Sequence, residues 1–301
     1  MSDDAAQPSE ASSPAEADSV EPEKKSRAGR NLPVAIGVGV LLVALIVGTL
    51  VWAPWAFVVL AAAAVWLGVA EVSRAAQVRN IRVAREPILV AVPIVALVAY
   101  NVGPEGHLVV FAALVLVIML FRLAFGVEEY VRDTAASVFV AAYLPLMLGF
   151  AILTLATPDP AGGPSNYGSW LIVTFVALTI GSDIGGYIAG VLFGKHPMSP
   201  TISPKKSWEG FAGSLLLQGI IGVLMFSLVL DAPAWQGLVV GLIMTATATL
   251  GDFVESAIKR DLGVKDMSDL IPGHGGIMDR LDSLIPNAFV SWALFTWFLG
   301  I

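Results

Sequence analysis

Apolar runs of roughly 17 to 25 residues follow one another from position 33 to the end of this chain, and they limit what it can fold into more than any other feature. At 1.5 Å per residue, a helix of that length crosses a hydrocarbon core of about 30 Å. With 56% of its 301 residues hydrophobic and only 14% charged, the chain carries more apolar surface than a soluble core would hide. The sequence therefore predicts an all-α, polytopic helical membrane protein. It contains no cysteine, which excludes disulfides, thiolate metal sites and cysteine nucleophiles.

The expected spans are 33–50, 53–70, 87–101, 107–125, 135–157, 170–194, 210–230, 234–258 and 284–301. The third is short, so one pair is alternatively re-entrant. Residues 1–31 are of another kind: rich in Ser, Ala, Pro, Glu and Asp, they have no apolar period and end in "KKSRAGR". Such a segment cannot bury enough surface to offset the entropy of ordering it, and it lacks the basic start and apolar core of a signal peptide. It is expected to be a disordered, acidic cytoplasmic tail. Lys and Arg concentrate on the cytoplasmic side of membrane proteins. With the N-terminus inside, the inner segments are the tail, 71–86, 126–134, 195–209 and 259–283, and every Lys and Arg except Arg122 falls in them. Arg122 lies within a turn of the inner end of its span, where it is expected to snorkel out. The outer loops are left with Glu105, His107, Asp159 and Asp231 as their titratable groups. Nine crossings in the plasma membrane follow, with 32–169 an N-terminal set of helices and 170–301 a region bearing a cytoplasm-facing site.

Several charges stand where lipid is expected. Asp183, in "LTIGSDIGGYIAGVLFG", is near the middle of its span. An ionisable group at that depth costs about 2.5–3.5 kcal/mol on insertion scales, so it normally faces a polar cavity or a partner. The glycines at 181, 185, 186 and 190 around it also suit close helix packing. In "TATATLGDFVESAIKR", Asp252, Glu255, Ser256, Lys259 and Arg260 fall on one helical face. Carboxylates inside and cations at the mouth make a layout for a metal and phosphates, although Lys259 or Arg260 alone would read as a snorkelling helix end.

The following segment gives "PGHGGIMDRLDS". Gly273, Gly275 and Gly276 allow close backbone approach to a ligand. Asp279 and Asp282, on a helix, share a face beside Arg280, and His274 is either a ligand or a solvated loop residue. Hard oxygen donors without cysteine or paired histidine point to Mg2+ rather than zinc. In "SPTISPKKSWEG", Pro200 and Pro204 stiffen an extended approach to Lys205, Lys206 and Ser207. The two lysines suit a polyphosphate, and Ser207 with Glu209 and Gly210 also reads as the start of the next helix.

The stretch Ser256, Ile258, Lys259, Arg260, Lys265, Asp266, Ser268, Pro272, His274, Gly275, Gly276, Asp279, Arg280 and Asp282 resembles the signature of the phosphatidate cytidylyltransferases (CDP-diacylglycerol synthases). The segment "SDIGGYIAGVLFGKHPMSPTISPKKSWEG" is similar to that family's Asp-bearing helix and its Lys-Lys loop, departing at Ile184-Gly185-Gly186. The motif-level resemblance spans roughly 182–283. It implies transfer of a cytidylyl group from CTP to phosphatidate, with Asp252 and Asp279 holding Mg2+ and a second cation, monovalent or divalent, nearby. Lys205, Lys206, Lys259 and Arg260 are then expected on phosphates, and Asp183 in the cavity. Ser207, Ser256, Lys265, His274, Gly275, Gly276, Arg280 and Asp282 are expected around the substrates. The expected partners are CTP, phosphatidate and the bilayer, without nucleic acid; a homodimer is compatible with the sequence. A CTP-dependent lipid-alcohol kinase and an ion-coupled transporter with Asp183 and Asp252 as relay residues are the alternatives.

Overall fold

A computed structural model describes residues 32–160, 166–268 and 276–301. The expected tail and the motif residues His274 and Gly275 lie outside these. The helices are α1 (Leu32–Trp52), α2 (Pro54–Gln77), α3 (Arg85–Asn101), α4 (Pro104–Leu123), α5 (Tyr130–Ala141), α6 (Met147–Leu155), α7 (Tyr167–Phe193), α8 (Trp208–Leu228), α9 (Ala234–Leu262), α10 (Met278–Leu281) and α11 (Leu284–Leu299). One π-helical turn, Ala142–Leu146, joins α5 to α6. Pro145 inside that turn has no backbone N–H to give, and widening the turn relieves its clash with the preceding carbonyl. Among the described residues six helices are long and apolar enough to cross a membrane: α2, α4, the continuous α5–α6 segment, α7, α8 and α9. The chain is an all-α, multi-pass protein. The shorter helices include α3, with 17 residues and Pro93 in its interior, and α11, with 16.

The exception to the all-α expectation is a small antiparallel hairpin, β1 (Pro197–Ser199) and β2 (Ser203–Ser207), pairing Pro197 with Ser207 and Ser199 with Ser203. The proline-stiffened segment is extended, as expected, and turns back to lead directly into α8. Ser207 ends the strand and caps the helix, its Oγ accepting from the Gly210 N–H at 3.1 Å.

Helices α7, α8 and α9 pack with their backbones nearly touching. A Cβ added at Gly185 would lie 2.6 Å from the Gly213 carbonyl oxygen, and one at Gly241 2.5 Å from that of Gln218. Glycine is therefore what lets these helices approach. A ladder of buried side chains locks the contact. Ser214 Oγ donates to the Ser182 carbonyl at 2.6 Å, Thr245 bonds Gln218, and Asn287 of α11 donates to Thr179 at 3.2 Å and accepts from Thr247. Polar groups at that depth have no water to turn to, so they bond one another across helices.

Three expectations fail here. Helix α2 runs past residue 70 to Gln77, so Glu71 is a fully buried helix residue rather than part of an inner loop. Helix α4 begins at Pro104, which places His107 inside the bundle, edge-on to Phe150 with ring centroids 5.2 Å apart, instead of in an outer loop. Arg122 does not snorkel. It is buried with Asp133 at 2.7 Å, because a buried carboxylate offers the guanidinium a nearer partner than water does.

Candidate active site

One end of the bundle gathers the charged residues. Helix α9 arrives there with its acidic and basic stripe and stops at Gly263, whose φ of +75° is open to glycine without strain. The Gly263 N–H donates to the Arg260 carbonyl at 3.2 Å and the Val264 N–H to that of Lys259 at 2.9 Å, the hydrogen-bond pattern of a Schellman close. Arg79, two residues beyond α2, adds a cap from outside, its Nε donating to the Asp261 carbonyl at 2.9 Å.

Within this frame Lys206 of β2 pairs with Asp252 of α9. Two turns further along, Lys259 bridges two carboxylates, Glu255 at 2.5 Å and Asp279 of α10 at 2.8 Å. The other oxygen of Asp279 accepts the Gly276 N–H at 2.7 Å. Asp183 of α7 is exposed and within electrostatic reach of Asp282, Lys206 and Arg280. Residues far apart in sequence thus meet from four elements, with carboxylates and ammonium groups alternating.

Burial lowers the Lys206 ammonium to about 8, against the pull of the Asp282, Asp183 and Glu255 carboxylates. Burial works the other way on Asp279, but the Lys259 ammonium and the Gly276 N–H outweigh it and hold its carboxyl below the ordinary range. Asp282 is pushed up by desolvation, against the pull of Lys206, Lys259 and Arg280. Two neighbouring carboxylates therefore have opposite tendencies, which marks Asp279 as the readier anion of the two.

The remaining expected site residues spread around this core. Lys205, Arg260 and Lys265 are exposed, Ser256 is half-buried, Gly276 is buried, and Ser207 is committed to capping α8. Glu255 belongs to the core, although the motif reading had not assigned it a site role; its place on the Asp252–Lys259 face was the signal. Glu71 was missed altogether. It bonds the start of α10, and its trace in the sequence was a single acid, "GVAEVSR", at the end of an apolar run. Among the described residues no three acidic or histidine side chains are close enough to enclose a metal ion.

The chain matches the model of the cytidylyltransferase family over residues 33–298. The match reaches far outside the segment 182–283 that carried the motif resemblance. A protein of Mycobacterium leprae named phosphatidate cytidylyltransferase is 40% identical over 286 residues, covering 90% of this chain and 89% of its own. Proteins of the same name from Mycobacterium tuberculosis strain H37Rv and from Synechocystis are 38% and 32% identical, covering 90% and 83% of this chain and 84% and 91% of their own. Since both the first helices and the charged end of the bundle fall within these matches, the chain belongs to the cytidylyltransferase family.

Proposed function

We infer that this chain is a membrane enzyme of phospholipid synthesis that transfers the cytidylyl group of CTP to phosphatidate, giving CDP-diacylglycerol and pyrophosphate. The observation that carries the reading is the meeting of Lys206–Asp252 with Glu255–Lys259–Asp279 at one end of the bundle, in a chain that this family matches almost throughout. In the reaction an oxygen of the lipid phosphate attacks the α-phosphorus of CTP. A new P–O bond forms as the bond to the bridging oxygen of the β-phosphate breaks, and pyrophosphate leaves with the electron pair. A phosphate monoester is already anionic at neutral pH, so the attack needs no dedicated base. The difficulty is bringing anions together, which charge and positioning overcome.

Lys206 and Lys259 each stand beside a carboxylate and can exchange it for a phosphate oxygen without leaving the site. Arg260, Lys205, Lys265 and Arg280 supply further positive charge around them. Ser256, His274, Gly275, Gly276 and Asp282 serve the bound substrates, and Asp183 orients a cation or a polar group of the ligand. The donor set suits Mg2+, which takes one or two carboxylates and completes its octahedron with phosphates and water rather than a protein cage. Asp252 and Asp279 would hold it, with a second cation nearby. Bound there, Mg2+ supplies polarisation of the α-phosphate and neutralisation of charge.

The finer topology belongs to the same proposal: nine crossings, the N-terminus in the cytosol, and the charged end of the bundle facing the cytosolic CTP pool. The distribution of Lys and Arg supports it. The test of the activity uses CTP labelled at either phosphorus. Label from the α-phosphate is expected in the lipid product, whereas label from the γ-phosphate there would identify a lipid kinase instead.

A further inference from the structure

Glu71 is buried within α2, six residues before its end, at a depth where an acid normally marks a functional or partnered position. Among the described residues its carboxylate is fully engaged, and by no cation. One oxygen accepts from the Ser268 hydroxyl and from the Ile277 N–H at 3.1 Å, and the other accepts from the Met278 N–H at 2.9 Å. It also lies against Gly276, where an added Cβ would come within 2.6 Å of a carboxylate oxygen. The adjoining N–H of the same turn, that of Gly276, is the one that bonds Asp279. The Gly276 N–H holds one Asp279 oxygen at 2.7 Å, while Lys259 holds the other at 2.8 Å.

We propose that Glu71 is a positioning residue: through the backbone of residues 276–278 it sets where the Asp279 carboxylate stands relative to Lys259. The consequence for turnover rests on the reading of Asp279 given under Proposed function; the contact itself does not. A carboxylate presents two acceptor atoms to three converging donors, and no uncharged side chain of the same length does so. Gln keeps the shape but turns an N–H₂ group toward a backbone N–H, and Ala leaves all three donors unanswered. Arg79, beyond the end of the same helix, caps α9 at Asp261. The N-terminal half of the chain therefore grips the site segment at both ends.

The test compares wild type, Glu71→Gln and Glu71→Ala in detergent, by kinetics, melting temperature and amide hydrogen exchange of residues 276–283 without nucleotide. The expected order of kcat is wild type, then Gln, then Ala, with Ala down at least about tenfold and KM for phosphatidate within about threefold. Exchange at Ile277 and Met278 should quicken by about tenfold or more in the same order, while the melting temperature of the Gln variant stays close to wild type. If Ala fails to insert, Gln alone decides on the same criteria. Variants with kcat and exchange within about threefold of wild type would overturn the proposal. So would activity lost only in step with melting temperature, with exchange at 277–278 unchanged. A wild-type protein without cytidylyl transfer would defeat the proposed function, and the exchange measurement would still decide the role of Glu71.

Discussion

Arg122 and Asp133, in the first half of the chain, lie 2.7 Å apart with their side chains 5% and 1% exposed. In the second half, the side chains of Lys206 and Asp252 are 28% and 21% exposed, and those of Lys259 and Asp279 are 16% and 10% exposed. Both regions pair acid with base near a membrane boundary, but the first pair is shielded from solvent and the second set is open to it. In the closed pair, Asp133 also accepts the Arg82 N–H at 3.1 Å, and its backbone carbonyl accepts the Ser137 hydroxyl at 2.6 Å. That arrangement fastens α4, α5 and the segment leading into α3 together. The open set strings several carboxylates and lysines along one end of the bundle, where the proposed polyphosphate would meet them. Accessibility, more than the count of ion pairs, separates charge used for architecture from charge available for chemistry.

The comparison breaks most visibly at Asp279. Asp279→Asn keeps the size and removes the charge that a hard divalent ion needs, so turnover should fall about 10³-fold, or about 4 kcal/mol of transition-state stabilisation, with the melting temperature unchanged. Pyrophosphate release and thermal melting of the purified variant measure both quantities. Arg122→Met tests the opposite prediction. Leaving buried Asp133 with only the partly exposed Arg132, 3.5 Å away, as a cation should cost at most about 3 kcal/mol of stability, read as a lower denaturation midpoint, with turnover per folded molecule preserved. Lost turnover in folded Arg122→Met would show that the closed pair serves the chemistry too.

Asp183→Asn sharpens the boundary between the two kinds of charge. A role at the cation or ligand predicts at least about a tenfold loss of turnover, roughly 1.4 kcal/mol, with stability unchanged or raised. Normal turnover in a stable Asn variant would move Asp183 out of the site. The smallest expected effect is from deleting residues 1–23, which carry acidic groups and no apolar face to dock. Specific activity of the inserted protein should not change, provided that Lys24 to Arg30 remain to set the orientation of the first span.

Membrane class was legible in the sequence because hydropathy reports the solvent directly. The candidate site was legible because Asp252 to Asp282 form a nearly continuous segment whose helical face could be counted. What the face could not reveal was which carboxylate would find which lysine. Lys206 meets Asp252 only because Ser207 turns the hairpin into α8 at that point. Glu71 was hidden for a different reason. Two of its three partners are backbone N–H groups some two hundred residues away, and backbone donors leave no pattern in a sequence. Arg122 was misread because an arginine near a span end has two ways to satisfy its charge, and choosing between them requires knowing that Asp133 folds back onto it.

The central claim is that the open cluster joins CTP to phosphatidate. Its most direct test is pyrophosphate release by the purified full-length protein as CTP, Mg2+ and phosphatidate are omitted one at a time. Release only when all three are present, matched mole for mole by CDP-diacylglycerol, is the predicted result. Pyrophosphate formed without phosphatidate, or no pyrophosphate from folded protein with all three present, would contradict it.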